Sequence, residues 1–331
     1  FDVAVVGAGP AGSTCATLAA RAGLSVLLLD RALFPRPKVC GDCVNPSAWD
    51  VFDRLEVAER VRALPHAPLE RVRFESTSGA GVDVPLTGGG RGEIAVRRAD
   101  LDALLVEVAT NSGATVRQGE RLKDVVRTGN LWMMDTEAPS FLDTGDGKLK
   151  RSYIARYLVA ADGRNSTVTR LLGIAPPIPI GRIAVQTHAP ANGTTPEGTV
   201  VLKLLREGYA GVAPIGNDEV NICLVSAPRN LQSVRAWAER TFHLPDETAW
   251  HSIAPISRKP IPHVHERLVV LGDAARVVEP FTGEGTYYAM RSGQLCADAL
   301  RGVLKPGNTG GDALSALKAE LRAMYRNRLW V

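Results

Sequence analysis

The sequence predicts an α/β fold in which a Rossmann-like nucleotide-binding unit is interrupted by a mostly antiparallel β-sheet. Three observations predict this fold. A glycine-rich loop joins an apolar run to an Ala-rich segment at the amino terminus, two later apolar runs end in turns that contain aspartate, and short apolar segments follow one another between Ile183 and Val225. The chain has 331 residues, which is enough for two domains.

The amino-terminal segment has the order strand, glycine loop, helix, strand. Val3 to Val6 is an apolar, β-branched run that suits a strand buried on both faces. Pro10 to Ala22 predicts a helix, because proline is tolerated in the first turn and Gly23 favours a helix end. Ser25 to Asp30 predicts a second strand, which ends in an acid.

The loop after the first strand has the pattern G-x-G-x-x-G at Gly7, Gly9 and Gly12. In such a loop the first glycine permits a tight turn, the second lets a pyrophosphate approach the backbone, and the third lets helix and strand pack closely. The start of the helix adds free N–H groups and a partial positive charge. Asp30 is placed to accept hydrogen bonds from an adenosine ribose, so this segment predicts NAD or FAD as the ligand.

Two later strands end in turns that carry an aspartate. The run from Tyr157 to Ala160 leads into a turn at Asp162, and the run from Leu268 to Leu271 leads into a turn at Asp273. A helix rich in small residues is predicted from about Tyr287 to Leu304. The two aspartates are therefore expected at the edge of the sheet where an open α/β fold binds its ligand.

In combination, these motifs resemble the flavoprotein monooxygenase superfamily built like para-hydroxybenzoate hydroxylase, and within it most closely the geranylgeranyl reductase family. The resemblance spans positions 7 to 285. It implies an FAD-binding Rossmann-like domain of the glutathione reductase and para-hydroxybenzoate hydroxylase type. The residues that carry it are Gly7, Gly9 and Gly12, Asp162-Gly163, Gly272-Asp273 with Pro280, Gly283 and Gly285, and Arg98-Ala99-Asp100-Leu101-Asp102, which is similar to R-x-x-L-D.

The resemblance implies a role for several of these residues with FAD. Asp30 would hold the adenosine ribose, Asp273 the ribityl chain, and the turn at Gly283 would lie beside the isoalloxazine. Arg98 would contact the cofactor or be a solvated residue of a first helical turn, and Asp162 would touch the ligand or serve only as a turn former. The full cofactor-binding set is Gly7, Gly9, Ala11, Gly12, Asp30, Arg31, Arg98, Asp162, Asp273, Pro280, Gly283 and Gly285.

The positions of the motifs divide the chain into a discontinuous FAD-binding domain and an inserted domain. The predicted FAD-binding domain comprises residues 1–65, 93–175 and 265–310, and the substrate-binding β-sheet domain comprises residues 66–92 and 176–264. Residues 311–331 are predicted to contain a C-terminal helix.

A loop rich in proline and glycine follows the second strand and contains Cys40 and Cys43. Its K-x-C-G pattern is similar to the loop in which geranylgeranyl reductases place a cysteine towards the flavin, which would make Cys40 catalytic. The C-x-x-C pair could instead be a redox dithiol, or both residues could serve only for packing. A zinc site is disfavoured because Cys15, Cys223 and Cys296 are isolated.

The segment from Tyr209 to Pro214 falls where relatives carry Y-x-W-x-F-P or W-x-W-x-I-P. Gly211 and Ala213 replace the two large residues. Alternate residues of a strand share one face, so we expect a wider substrate space, lined by Gly211, Ala213 and Pro214, with Tyr209 as a catalytic candidate. The alternative is that Trp237 or Trp250 refills the gap.

Composition and charge exclude several function classes. The 39 Lys and Arg residues against 35 Asp and Glu leave a net charge of +4 without a basic run, which argues against nucleic acid as a partner. No apolar stretch approaches the length of a membrane span, and the odd number of five cysteines favours a reducing compartment, so a cytoplasmic location is expected. The histidine pair His263 and His265 is not expected to bind metal. The oligomeric state is not predicted.

The resemblance implies an FAD-dependent oxidoreductase that acts on an apolar or aromatic small molecule. Three reactions stay open: hydride transfer from reduced FAD to a C=C bond, hydroxylation or epoxidation through a flavin C4a-hydroperoxide, and dehydrogenation of the substrate. In the reductase case Cys40, Tyr209 or a water would donate the proton. NADPH or NADH is the expected external reductant. A flavin-bound scaffold without activity is the alternative from another class.

Overall fold

The chain is described here by a computed structural model for residues 1–86, 89–139, 148–177, 181–257, 259–277, 283–304 and 311–326. Its strands are β1 (Val3–Val6), β2 (Val26–Asp30), β3 (Cys43–Val44), β4 (His66–Leu69), β5 (Arg71–Glu75), β6 (Gly81–Pro85), β7 (Glu93–Val96), β8 (Thr115–Gln118), β9 (Arg121–Thr128), β10 (Leu131–Pro139), β11 (Lys148–Ala155), β12 (Tyr157–Ala160), β13 (Ile183–Pro190), β14 (Thr199–Leu205), β15 (Gly208–Gly216), β16 (Glu219–Ser226), β17 (His251–Ile253), β18 (Val264–His265) and β19 (Leu268–Val270). Its helices are α1 (Pro10–Arg21), α2 (Ala48–Arg54), α3 (Ala58–Arg62), α4 (Arg98–Asn111), α5 (Thr167–Leu171), α6 (Leu231–Thr241), α7 (Gly285–Val303) and α8 (Gly311–Met324).

A six-stranded sheet with the order β18-β19-β12-β1-β2-β8 forms the centre of the nucleotide-binding unit. Its strands run parallel except β18 at one edge. Because side chains alternate along a strand, Val3 and Val5 pack with helices α1, α7 and α8 on one face, whereas Ala4 and Val6 pack on the other face with the small sheet β11-β10-β9. Both faces are buried, as the apolar run predicts.

Two glycines allow helix α1 to lie close to its neighbours. A Cβ atom on Gly12 would lie 1.8 Å from the carbonyl oxygen of Gly7, and a Cβ on Gly293 of α7 would lie 2.2 Å from the carbonyl oxygen of Ala11. A larger residue at Gly12 would push helix α1 away from the loop after β1, and one at Gly293 would push α1 and α7 apart. This close packing holds the glycine loop in place against the end of β1.

The inserted unit is a seven-stranded sheet with the order β17-β13-β16-β15-β14-β5-β6. All neighbours are antiparallel except β14 and β5, which run parallel. Helix α6 covers one face, where Val234 and Ala238 pack against Ala210 and Val212. The predicted fold class is therefore confirmed, while the proposed division into domains stays a prediction.

The structure differs from the sequence-based expectations in local details. Helix α7 begins at Gly285, ahead of the predicted start at Tyr287, and β15 is longer than the predicted segment from Tyr209 to Ile215. The sheet β9 to β11 was not predicted at all. Among the described residues, none of the helices is both long and apolar enough to cross a bilayer.

Candidate active site

A cavity of about 1130 Å³ lies where strands β1, β2 and β12 end, and it continues along the inner face of the seven-stranded sheet. It brings together most of the predicted site residues. Gly12 and Pro214 do not line it, because Gly12 is used in packing and Pro214 lies away from the cavity wall. Pro280 lies outside the described residues. The predicted residues that line the cavity are Gly7, Gly9, Ala11, Asp30, Arg31, Cys40, Arg98, Asp162, Tyr209, Gly211, Ala213, Asp273, Gly283 and Gly285.

The end of the cavity at helix α1 suits a phosphate group. The helix starts after Gly9, and no side chain in the described ranges caps its first N–H groups. A Cβ on Gly9 would meet only the Arg36 guanidinium, at 3.6 Å. An anion placed there would therefore face uncapped N–H groups, the positive end of the helix and an arginine.

The Asp30 carboxylate is held by the backbone around it. Its Oδ2 accepts a hydrogen bond of 2.8 Å from Ala8 N, and its Oδ1 accepts one of 2.9 Å from Ala32 N. Each carboxylate oxygen can accept a further bond, so the side chain is oriented but still able to receive the hydroxyls of a sugar.

Four cationic side chains, those of Arg36, Lys38, Arg98 and Arg164, line the cavity together with Asp273, and Asp102 is buried next to Arg98. Arg98 is buried and bonds Asp102 through two nitrogens, each at 3.0 Å, so it is not a solvated residue of the first turn. Arg164 Nη2 donates to Asp273 at 3.2 Å. Burial opposes ionisation of Asp273, yet Arg164, Lys38 and Arg98 outweigh it and keep its pKa below the ordinary value.

Lys38 of this cluster loses its proton more readily than an ordinary lysine. Burial lowers the pKa of Lys38 to about 8; Asp273 acts in the opposite direction, while Arg164 and Arg98 lower it further. A bound anion would stabilise the charged form of this lysine. Phosphates and a reduced flavin ring are anions of the kind that this cluster of Lys38 and arginines would attract.

Asp162 acts as a cap for a helix and also has one carboxylate oxygen left at the cavity. Its Oδ2 accepts hydrogen bonds from Thr167 N at 2.6 Å and Val168 N at 3.1 Å, which caps helix α5. Its Oδ1 is buried at the cavity without a hydrogen-bond partner in the described part of the chain. Burial is the main reason that the pKa of Asp162 is raised. An oxygen in this situation is suited to a donor on a ligand, so the residues present fit FAD.

The loop that carries Cys40 is fixed by a network that sequence reasoning missed. Asp42 is buried with φ of +59°, and its Oδ2 contacts His188 Nε2 at 2.7 Å and Asn221 Nδ2 at 2.5 Å. Asn221 also donates to the Cys40 carbonyl at 2.8 Å, and Cys40 N donates to Gln186 Oε1 at 3.3 Å. The two strands β13 and β16 thus hold the backbone of Cys40, whose thiol faces the cavity.

Cys43 also lines the cavity, and all five cysteines are free. Burial, with Glu93 as a second cause, raises the pKa of Cys43 well above its ordinary value, so it is a thiol and a poor nucleophile. Across the described residues, no group of His, Cys, Asp and Glu side chains has the arrangement of a metal site. His263 contacts the Val270 carbonyl at 2.9 Å and stacks on Tyr325.

Gly211 and Ala213 form part of the cavity wall, together with Tyr209 on the same face of β15. A Cβ on Gly211 would make only an ordinary contact, 3.4 Å from Leu202 Cδ2. Trp237 and Trp250 pack with Ala210 and Val212 in the cluster beneath α6, on the other face of the sheet. The tryptophans therefore do not refill the space left by the small residues.

Glu93 is a further lining residue that no motif pointed to. It is the first residue of strand β7. The sequence predicts that this segment belongs to the FAD-binding domain, but it does not predict a strand there. Burial raises the pKa of Glu93 to about 7, and the nearby Glu284 adds to this effect. The only sequence signal is its position five residues before Arg98.

Comparison with known proteins gives matches along nearly the whole chain. The FAD binding domain family matches residues 1–326. The menaquinone reductase of Mycolicibacterium smegmatis is 32% identical over 90% of this chain and 76% of its own length. The geranylgeranyl diphosphate reductase of Rhodobacter capsulatus is 31% identical over 93% of this chain and 76% of its own length.

Solved structures of flavin enzymes have the same fold. The structure of pqsL, a probable FAD-dependent monooxygenase from Pseudomonas aeruginosa, covers 99% of this chain and 93% of its own chain with a TM-score of 0.79 and 20% identity. At that identity the likeness concerns the fold alone. The predicted resemblance and fold are confirmed by these matches.

Proposed function

The chain belongs to the FAD binding domain family and is an FAD-dependent oxidoreductase, and from that premise we propose that it reduces a C=C bond of an apolar substrate. The group of enzymes that it resembles, the geranylgeranyl reductases, suggests hydride transfer from flavin N5. NADPH or NADH would reduce the cofactor.

The residues that would hold FAD lie along one wall of the cavity. The start of α1 and Arg36 would hold the pyrophosphate, Asp30 the ribose of adenosine, and Asp273 the ribityl chain. The turn at Gly283 would hold the isoalloxazine. When bound, FAD supplies two-electron chemistry, whereas the protein supplies placement and electrostatics.

One observation carries the proposal: the polar part of the cavity is continuous with an apolar wall. The side chains of this wall come from β5, β14, β15 and β16, and a substrate lying against them would reach the polar part directly. None of the side chains that these four strands contribute to the wall is ionised. Its residues are Val72, Phe74, Val200, Leu202, Gly211, Ala213 and Val225.

The names of two relatives support a reductase with an apolar substrate. Menaquinone and geranylgeranyl diphosphate, which appear in those names, both carry a long isoprenoid chain. Such a chain would gain free energy by leaving water for the wall around Leu202, at roughly 25 cal/mol per Å² of buried apolar area. Cys40 and Tyr209 lie in the same cavity and stay candidates for contact with the reacting atoms.

The test is to reduce the bound flavin in the absence of air and then to add one reactant at a time. NADPH or NADH should bleach the flavin absorbance, and geranylgeranyl diphosphate or a menaquinone should restore it in the absence of oxygen. Product in which a C=C bond of the isoprenoid chain has gained two hydrogens supports the proposal, whereas a menaquinone reduced only at its ring carbonyls contradicts it. If labelled O2 is admitted and the product contains labelled oxygen, the enzyme is a monooxygenase instead. A flavin that neither NADPH nor NADH bleaches also contradicts the proposal.

A further inference from the structure

Glu93 lies where the polar part of the cavity meets the apolar wall. A Cβ atom built on Gly283 would lie 3.3 Å from Glu93 Oε1 and 3.2 Å from Cys43 Cβ, so these three residues meet at one point. Cys43 in turn packs in the apolar cluster that contains Ala213. Glu93 therefore lines the cavity beside the turn proposed for the isoalloxazine, and it is linked through Cys43 to the proposed substrate wall at Ala213.

The surroundings of Glu93 favour its neutral form. The groups that face it are Cys43 of β3, Glu284 from the turn before α7, and Leu69, its register partner on β4. The arginines near it on its own segment have other partners. Arg91 binds Asp50 and Asp53, and Arg97 binds Glu219.

No cation within the described ranges pairs with Glu93, while burial and the charge of Glu284 both disfavour a carboxylate. The pKa of Glu93 is about 7 for these reasons. A general acid works best when its pKa lies near the pH at which it operates. Cys43 and Cys223 are poorer donors in this respect, because burial raises the pKa of Cys43 far above neutrality and that of Cys223 to about 12.

We propose that Glu93 is the general acid that protonates the substrate during reduction of its double bond. This rests on the proposed function. Reduction adds a hydride to one carbon of the C=C bond and a proton to the other; the reduced flavin supplies the hydride with its electron pair, and the Glu93 O–H bond breaks to supply the proton. Glu93 is left as a carboxylate and regains a proton from water in the cavity.

The test compares Glu93→Gln, which keeps the shape but has no acidic proton, with Glu107→Gln. Glu107 is exposed on α4 and pairs with Arg60, so its variant controls for loss of one carboxyl. Both variants and the wild type are loaded with FAD. Two rates are measured without air from about pH 6 to about pH 9, the range that brackets a pKa near 7: bleaching of the flavin by NADPH or NADH, and its reoxidation by geranylgeranyl diphosphate, which has no quinone ring to accept the electrons.

Glu93→Gln should slow reoxidation by about 100-fold or more, the usual contribution of a general acid, and should change bleaching far less, because hydride transfer from the nucleotide needs no proton from Glu93. In the wild type, reoxidation should slow as the pH rises through about 7, and this dependence should be absent from Glu93→Gln. Glu107→Gln should behave as the wild type.

A second measurement reports on the carboxyl itself. The infrared C=O band of the protonated Glu93 carboxyl should be present at about pH 6 in the wild type and Glu107→Gln and missing in Glu93→Gln, whereas a band from Asp162, whose pKa is also raised, would be common to all three proteins. Reoxidation within twofold of wild type in Glu93→Gln, or persistence of the band, overturns the role of Glu93. If neither NADPH nor NADH bleaches the flavin of the wild type, the proposed function is overturned. This outcome can be told apart from failure of the Glu93 proposal, because it does not depend on the Glu93→Gln variant.

Discussion

The two ends of the cavity are built in different ways. The core of the cofactor end is the glycine loop packed against the backbone after β12, and its close contacts leave no space for an added atom at Gly7 or Gly12. The substrate end is made of side chains from four strands, and a Cβ on Gly211 would meet only Leu202 at an ordinary distance. Gly7 and Gly12 at the cofactor end therefore tolerate no larger residue. The substrate end can accept larger side chains, which would alter its shape and the choice of substrate.

The largest expected effect is that of Gly12→Ala at the cofactor end. Its Cβ would overlap the Gly7 carbonyl oxygen at 1.8 Å, so strand and helix must separate. We expect a loss of at least about 4 kcal/mol in the free energy of unfolding, which is an exceptional value for one substitution. Urea denaturation monitored by circular dichroism measures it.

Gly9→Ala is the matched control for this change. Its Cβ would meet only the Arg36 side chain at 3.6 Å, so the fold should survive. If Gly9 lies against a pyrophosphate, this variant should nevertheless bind FAD more weakly, as fluorescence titration would show. A Gly12→Ala protein with wild-type stability would mean that the cofactor end is less rigid than the contacts indicate.

Arg98→Met should have the next largest effect. It leaves the buried Asp102 carboxylate without its two bonds at 3.0 Å, and removal of one partner of a buried ion pair costs about 3 kcal/mol or more. Arg60→Met is the control, because its partner Glu107 is exposed and such pairs contribute less than about 1 kcal/mol. Equal losses in the two variants, measured by urea denaturation, would contradict a special role for the buried pair.

The contrast between the two ends also explains what the sequence could predict. The glycine loop and the turn at Asp162 are local patterns, in which each residue type has a physical reason, whereas a cofactor role for Arg98 is implied only by the resemblance to the family. The contacts of Asp42 with His188 and Asn221 join residues 146 and 179 positions apart, so they depend on how β13 and β16 align with the loop. No local pattern encodes that alignment.

Glu93 illustrates the same limit at the substrate end. Its raised pKa comes from burial and from Glu284, which is distant in sequence. Gly211 and Ala213 could be placed on one face from alternation alone, but the position of Trp237 and Trp250 on the opposite face required the structure. Motifs thus predict where the cofactor would lie better than they predict the reacting groups.

The pH dependence of stability tests the environment of Glu93 directly. Its pKa in the folded protein is raised from 4.5 to about 7, so the folded state holds the proton more tightly than the unfolded state. The resulting stabilisation is complete below about pH 4.5 and is lost as the pH rises to about 7. The wild type should therefore lose about 3 kcal/mol relative to Glu93→Gln between those pH values.

Urea denaturation of both proteins at a series of pH values measures this difference. Glu107→Gln, at an exposed position, serves again as the control. A difference between wild type and Glu93→Gln that does not change with pH would contradict a buried, neutral Glu93, whatever the activity of the enzyme.

The smallest expected effect on stability is that of Gly211→Trp, which restores a large residue to the substrate wall. Because Gly211 faces the cavity and its Cβ would meet Leu202 only at 3.4 Å, the indole can extend into open space, at a cost of less than about 1 kcal/mol. Flavin binding and bleaching by nucleotide should be unchanged, while KM for a bulky apolar substrate should rise about tenfold, since pocket shape alone discriminates by such factors. Leu204→Trp, at an exposed position of β14, is the control and should leave KM unchanged. An equal rise of KM in both variants would mean that the wall at Gly211 does not contact the substrate. The small residues Gly211 and Ala213 would then not be there to widen the substrate space.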